Sequence, residues 1–101
     1  VISLARRGSI NIHPSYLPAY RGISPCFWYL ANNESMGGVS VHMLTKGIDD
    51  GAIIWQTKVQ ITPQDTFFRL YRRCAVTIAE NIPKILSLAK LMLMTLLTTK
   101  M

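Results

Sequence analysis

The chain has 101 residues, half of them hydrophobic, which suffices for one compact domain and not for two. Eleven Lys and Arg against five Asp and Glu give a net charge of +6, without the long basic run of a dedicated nucleic-acid module. Cys26 and Cys74 fit no zinc-ligand spacing, and the apolar residues 82–97, interrupted by a proline and two lysines, fall short of a membrane span. We expect a cytoplasmic protein that binds neither a metal nor a membrane.

The first predicted element is a strand. Residues 9–13 alternate polar and apolar side chains and stop before Pro14, so the strand is expected to end at His13. Asn11 and His13 then lie on one face, about 6.5 Å apart, while the two isoleucines of the strand are expected to enter a core. Polar groups at the carboxyl end of a strand are typical of ligand sites in α/β sheets. Taken alone, the pair is also typical of a loop-capping amide beside an edge histidine.

A loop and a helix are expected next. Residues 14–24 carry two prolines and a glycine, which favours an ordered loop. Ser24 and Pro25 have the pattern of a helix cap followed by proline in the first turn, so a short helix should follow. Trp28 and Trp55 are expected in the core.

Two further strands are predicted after this helix. Gly37 and Gly38 predict a turn before a second strand over residues 39–44, and residues 52–56 predict a third. The intervening segment, residues 45–51, is short enough for these two strands to be antiparallel neighbours.

The rest of the chain is predicted to be helical. Thr62 and Pro63 repeat the cap-and-proline pattern, and the apolar residues that follow recur at helical spacing. Pro83 should end or kink this helix. The tail, residues 83–101, is rich in Leu and Met and predicts another helix, whose apolar face needs cover.

Two motifs give the chain a resemblance to a known family. Residues 11–22 read NIHPSYLPAYRG and closely resemble N-x-H-P-S-x-L-P-x-Y-R-G, the signature of the 10-formyltetrahydrofolate-dependent formyltransferases. Downstream, residues 47–51 read GIDDG and match the family's G-x-D-x-G loop. That family includes methionyl-tRNA, glycinamide ribonucleotide and sugar-nucleotide formyltransferases and a hydrolase of the same folate. Two motifs in the right order are far more specific than either alone.

The resemblance covers about residues 8–82 and implies an α/β fold with a mixed sheet and flanking helices, the second half of a Rossmann-like catalytic domain. Residues 1–82 would form the C-terminal part of that domain, and residues 83–101 an apolar helical tail without an inherited role. The family's N-terminal half supplies the first strands and part of the folate and acceptor pocket, and this sequence lacks it. That half, or a second copy of the chain, would be needed to cover an exposed sheet edge.

The resemblance also assigns chemistry. Asn11 would donate its amide N–H to the oxyanion that forms when an amine attacks the formyl group of 10-formyltetrahydrofolate, and a protonated His13 would support that oxyanion and pass a proton. Asp49 would hold His13 or a water molecule and accept the proton of the amine. Substrate and folate contacts would come from Ser15, Tyr20, Arg21, Gly22, Gly47 and Gly51. The amine acceptor is free to carry phosphate, which the positive charge favours.

Other functions stay open from the sequence. The chain could belong to the related formyltetrahydrofolate hydrolase, in which water replaces the amine, or be an inactive truncated fragment. Ser15, His13 and Asp49 could form a hydrolytic triad on paper, but Ser15 does not lie in a nucleophile elbow. His42 is expected to be a structural histidine or a pocket wall. Tyr16 stands where many family members have Leu, which changes the apolar support of the loop.

Overall fold

The computed structural model describes residues 9–43 and 52–100, and three strands and three helices lie in them. In chain order the elements are β1 (Ile10–His13), α1 (Pro25–Ala31), β2 (Met36–Met43), β3 (Ile53–Gln60), α2 (Phe67–Glu80) and α3 (Ile82–Lys100). The predicted α/β class is confirmed. The described strands form one sheet in the order β1-β2-β3, and both pairings are antiparallel, so the parallel pair that a mixed sheet requires does not occur within these ranges.

The strand register sorts the side chains onto two faces. His13 lies opposite Ser40, and Ser40 lies opposite Gln56 on the next strand. Side chains directly opposite each other share a face, and residues two apart on one strand do too. One face, here called the polar face, therefore carries Asn11, His13, Gly38, Ser40, His42, Gln56 and Lys58.

The other face packs against the helices. Val39 and Val41 of β2 are fully buried there. Helix α2 contributes Leu70, Cys74 and Ile78, which recur every four residues and form one apolar stripe. Helix α3 adds Ile85 and Ala89 to the same core. No helix within the described ranges combines the length and hydropathy that crossing a membrane requires.

The predicted turn at Gly37 and Gly38 is wrong, because both residues lie inside β2. Close packing explains the two glycines: a β-carbon on Gly37 would meet the side chains of Ile61 and Tyr29, and one on Gly38 would meet Tyr16. The chain instead reverses just after α1, where Asn33 has a φ of 54°. The predicted second and third strands are otherwise confirmed, with β3 running on to Gln60.

Helix α2 begins later than the sequence pattern suggests. Its N-cap is Thr66, whose side chain accepts a hydrogen bond from the Arg69 N–H at 3.3 Å. The earlier Thr62 is held by Asp65, whose carboxylate accepts from the Thr62 N–H at 2.8 Å and so closes a turn before the helix. As predicted, the helix ends before Pro83.

Three local expectations fail. Ser24 precedes α1 in a left-handed conformation, with φ of 57°, and its side chain makes no cap hydrogen bond. Trp28 is 51% exposed rather than in the core. Ile10 and Ile12 are on the helical side of β1 but are 38% and 47% exposed, because α2 does not close over this strand. An apolar groove of about 310 Å³ lies between Ile12 and α2.

Candidate active site

The loop after β1 is ordered, as predicted, and folds over the polar face. It is held internally by the Ser15 N–H, which donates to the His13 carbonyl at 2.9 Å, and by the Ala19 N–H, which donates to the Tyr16 carbonyl at 3.0 Å. Its Tyr16 ring lies 5.8 Å from Lys58 Nζ of β3, in cation–π geometry. We call residues 14–22 the signature loop.

His13 is the last residue of β1 and is only 5% exposed. Its Nε2 lies 3.0 Å from the carbonyl oxygen of Tyr20, at the far end of the signature loop. Because a carbonyl oxygen can only accept, Nε2 is the protonated nitrogen that donates this bond. The loop therefore sets the orientation of the imidazole ring.

Tyr20 is itself held from three directions. Its hydroxyl donates to Glu34 Oε1 at 3.2 Å and accepts from Asn32 Nδ2 at 3.0 Å. The ring packs on Tyr29, with the centroids 4.2 Å apart. Its φ of 54° lies in the left-handed region, which non-glycine residues rarely adopt. These contacts fix the carbonyl that meets His13.

Asn11 and His13 share the polar face, as their spacing predicts. Asn11 is half-buried and lies opposite His42 in the register. His42 is 2% exposed, and its Nδ1 donates to the Met43 carbonyl at 2.9 Å. This local bond fixes the orientation of the His42 ring. The strand thus places a carboxamide and an imidazole side by side at its carboxyl end.

A pocket of about 280 Å³ lies next to His13. Its lining residues are His13, Pro14, Gly22, Ser24, Pro25, Cys26, Phe67 and Tyr71. Gly22 has a φ of 101°, a conformation that glycine adopts at little cost. Phe67 and Tyr71 of α2 stack with centroids 5.9 Å apart and form an aromatic wall. Phe67 and Tyr71 are 39% and 54% exposed, so they line this pocket and are not part of the buried core.

Two cysteines meet where α1 packs on α2. Cys26 and Cys74 are buried free thiols. A hydrogen bond from Cys74 lowers the pKa of the Cys26 thiol. For Cys74, the hydrogen bond with Cys26 and burial both raise the pKa of the thiol far above the usual range. In the described part of the chain, no three His, Cys, Asp or Glu side chains cluster closely enough to hold a metal ion.

The residues predicted to contact the substrate and the folate differ in their burial and hydrogen bonding. Ser15 is fully buried, and its hydroxyl donates to the Ala19 carbonyl at 2.8 Å, so it is not presented as a nucleophile. Arg21 is exposed on the loop, and Gly22 lines the pocket beside His13. Asp49, Gly47 and Gly51 lie outside the described residues.

Ser40 and Gln56 were not predicted as site residues from the sequence. Both lie on the polar face and bond the signature loop: Ser40 Oγ accepts from the Leu17 N–H at 3.0 Å, and Gln56 Nε2 donates to the Leu17 carbonyl at 3.1 Å. For Ser40 a signal was present, because it is a polar residue between two valines of a predicted strand. Only the register shows that they face the same side as His13.

The known proteins that this chain resembles include several formyltransferases. GDP-perosamine N-formyltransferase from Brucella melitensis is 43% identical over 72 residues, which cover 71% of this chain and 28% of that protein. Methionyl-tRNA formyltransferase from a Synechococcus species is 41% identical over 80 residues, which cover 79% of this chain and 25% of that protein. The crystal structure of glycinamide ribonucleotide transformylase 1 from Symbiobacterium toebii matches with a TM-score of 0.71 and 36% identity, over 75% of this chain and 36% of that one.

The matched region is a part of these longer proteins. The matched residues span about a quarter of the length of these two curated relatives. The family model described as formyl transferase matches residues 1–86, which include the signature loop and all three strands. On this match, this chain belongs to the formyl transferase family.

Proposed function

We propose that this chain carries the catalytic residues of a cytoplasmic enzyme that transfers a formyl group from 10-formyltetrahydrofolate to an amine. The observation that carries the proposal is the placement of Asn11 and the buried His13 on one face of β1, beneath the signature loop. Family membership supports the reaction class. The proposal invokes no metal ion.

In this reaction the amine nitrogen attacks the formyl carbon, and a C–N bond forms while the carbonyl oxygen gains negative charge. The side-chain amide of Asn11 would donate a hydrogen bond to that oxygen. Because this charge exists only in the transition state and intermediate, such a donor accelerates the reaction rather than tightening substrate binding.

The bond between the formyl carbon and the folate nitrogen then breaks, and the departing nitrogen needs a proton. His13 would support the oxyanion and relay this proton, with its ring held by the Tyr20 carbonyl at 3.0 Å. Asp49 would take the proton from the attacking amine, a role that rests on the match of residues 47–51 to the family's G-x-D-x-G loop. Gly47 and Gly51 would frame that carboxylate.

The signature loop would supply the substrate contacts. Gly22 lines the pocket beside His13, and the neighbouring Arg21 is exposed, where its guanidinium could meet a phosphate on the acceptor. Ser15 and Tyr20 would act through the loop, because their hydroxyls bond to Ala19 and to Asn32 and Glu34.

A second component would complete the enzyme. Ile10 and Ile12 leave apolar surface exposed along β1, and the chain covers only part of its relatives. We propose that the family's N-terminal half covers this edge and adds part of the folate pocket, with a second copy of the chain as the other candidate.

The test is to assay the chain alone and together with the N-terminal half of the Brucella GDP-perosamine N-formyltransferase. We expect weak folate binding and no transfer from the chain alone, and formylated amine with the added half. An Asn11→Ala chain serves as the matched control. Release of formate without formylated amine would indicate the hydrolase, and inactivity in every combination would indicate an inactive fragment.

A further inference from the structure

The hydroxyl of Ser40 makes all the hydrogen bonds it can, with the signature loop and with Gln56 of β3. Ser40 is fully buried on β2. Its Oγ donates to the Ser15 carbonyl at 2.7 Å and accepts from the Leu17 N–H at 3.0 Å and from Gln56 Nε2 at 3.2 Å. A serine hydroxyl offers one donor and two acceptor positions, so these three bonds use all of its capacity.

Gln56 completes the hold on Leu17. The same Nε2 that bonds Ser40 donates its other proton to the Leu17 carbonyl at 3.1 Å. Both backbone polar groups of Leu17 are therefore bonded by side chains of the polar face, one by Ser40 and one by Gln56. Leu17 is 3% exposed, so losing these bonds would leave buried backbone groups without partners.

A series of hydrogen bonds in the signature loop connects Ser40 to His13. Ser15, held by Ser40, donates its hydroxyl to the Ala19 carbonyl at 2.8 Å. The next residue, Tyr20, accepts from His13 Nε2 at 3.0 Å. The orientation of the imidazole is thus tied to the sheet through the signature loop.

We propose that Ser40 and Gln56 are positioning residues, which fix the ring of His13 through the signature loop. Their hydrogen bonds go to the backbone of the signature loop and to each other. The catalytic consequence rests on the proposed formyl transfer, whereas the control of the His13 hydrogen bond stands on the geometry alone.

The Nε2–H proton of His13 gives a direct readout of this role. In the full chain, labelled with ¹⁵N at histidine, its solvent exchange can be compared with that of the β2 and β3 amides. We expect Ser40→Ala and Gln56→Glu to accelerate exchange at His13 by about tenfold or more beyond any change in the β-sheet amides. Gln56→Glu keeps the side-chain shape and removes the donor, and its half-buried position makes it the milder change.

Two further variants separate positioning from general stability. Thr57→Ala alters the neighbouring residue on the opposite face of β3 and should leave the relative exchange at His13 unchanged. Ser40→Thr retains the hydroxyl and should restore at least part of the protection. If Ser40→Ala and Gln56→Glu alter exchange at His13 and in the sheet equally, or not at all, the proposal is wrong.

The same variants distinguish this inference from the proposed reaction. In the chain combined with an N-terminal half, Gln56→Glu should lower kcat with KM largely kept, because the ring would be misdirected while the pocket persists. If the variants show faster exchange at His13, but the wild-type chain combined with an N-terminal half transfers no formyl group, the proposed reaction alone would be refuted. Unchanged exchange at His13 beside normal transfer would refute the positioning role alone.

Discussion

Gly38 lies directly beneath Tyr16, so closely that a β-carbon on Gly38 would come within 2.7 Å of the Tyr16 β-carbon and 2.8 Å of the Thr57 carbonyl oxygen. Neither atom is at the end of a flexible side chain. Gly38→Ala should therefore push the signature loop off the sheet and destabilise the fold by about 1–3 kcal/mol. Urea unfolding monitored by circular dichroism measures this loss.

Gly37→Ala is the matched control for that substitution. Its β-carbon would meet the end of the Ile61 side chain at 3.2 Å and the Tyr29 ring at 3.4 Å, and both groups can move slightly. We expect a smaller loss of stability than for Gly38→Ala. Equal losses in the two variants would contradict the specific contact between Gly38 and the loop.

Asn11→Ala should reduce kcat by about two to three orders of magnitude in the active combination, because it removes a donor to the developing oxyanion. Folding should be little affected, since Asn11 is only half-buried. Steady-state kinetics and an unfolding curve test the two statements separately. Unfolding of the variant, with normal specific activity in the folded fraction, would show that Asn11 is structural.

The adjacent Ile12 provides a comparison on the opposite face. Ile12 is 47% exposed, so Ile12→Asn should cost the isolated chain little stability, because the amide can remain in water. The sequence-based expectation of a buried isoleucine predicts a large loss instead. In the presence of an N-terminal half that covers β1, the cost of Ile12→Asn should rise, which measures the proposed contact.

Asp65 and Arg73 should make the stability depend on acid pH. Arg73 holds the Asp65 carboxylate in two hydrogen bonds of 2.6 and 2.8 Å, and this contact keeps the pKa of Asp65 well below its usual range. Since the folded-state pKa is depressed, the stabilisation is complete above about pH 5 and is lost as the pH falls through the unfolded value near 4 and then the folded one.

Substitution of this pair tests the assignment. Asp65→Asn should cost about 1–2 kcal/mol at pH 7 and flatten the acid limb of the stability curve. Arg72→Gln, at an exposed position on the same helix, should change stability by less than about 0.5 kcal/mol. An Asp65→Asn curve that runs parallel to the wild-type curve down to acid pH would show that the pair does not carry the dependence.

Asp49 and Asp50 test the register of the G-x-D-x-G match. Two adjacent carboxylates repel each other in a dry pocket, so only one is expected to act. Asp49→Asn should lower kcat by about a hundredfold or more with folate binding largely kept, and Asp50→Asn by less than about threefold. Both variants need to be assayed in the active combination. An inactive Asp50→Asn enzyme beside an active Asp49→Asn enzyme would move the proposed base by one residue.

Local patterns predicted most of the elements but not their packing. Alternation before Pro14 correctly ended β1 at His13, and Pro83 correctly separated the two long helices. The turn predicted at Gly37 and Gly38 was wrong because these glycines make room for Tyr29 and Tyr16, which are distant in sequence. A rule for turns that considers only neighbouring residues does not include such contacts.

The same limit applies to helix starts and to the site. Thr62 and Thr66 both have the chemistry of an N-cap, and the choice depends on Asp65, which closes a turn at Thr62 and pairs with Arg73 a further eight residues on. For the site, the two-residue spacing of Asn11 and His13 in a predicted strand correctly placed their side chains on one face. It did not predict Ser40, whose role depends on pairing across two strands.

The three bonds of the Ser40 hydroxyl limit how this chain can be recombined with its relatives. The signature loop of this chain should not function on strands from a relative unless Ser40 and Gln56, or equivalent groups, accompany it. Because the backbone of Leu17 is hydrogen-bonded by side chains of β2 and β3, the loop and these two strands should be transferred together. Chimeras should therefore be joined outside residues 15–56, because a junction between Ser15 and Gln56 would separate a donor from its acceptor.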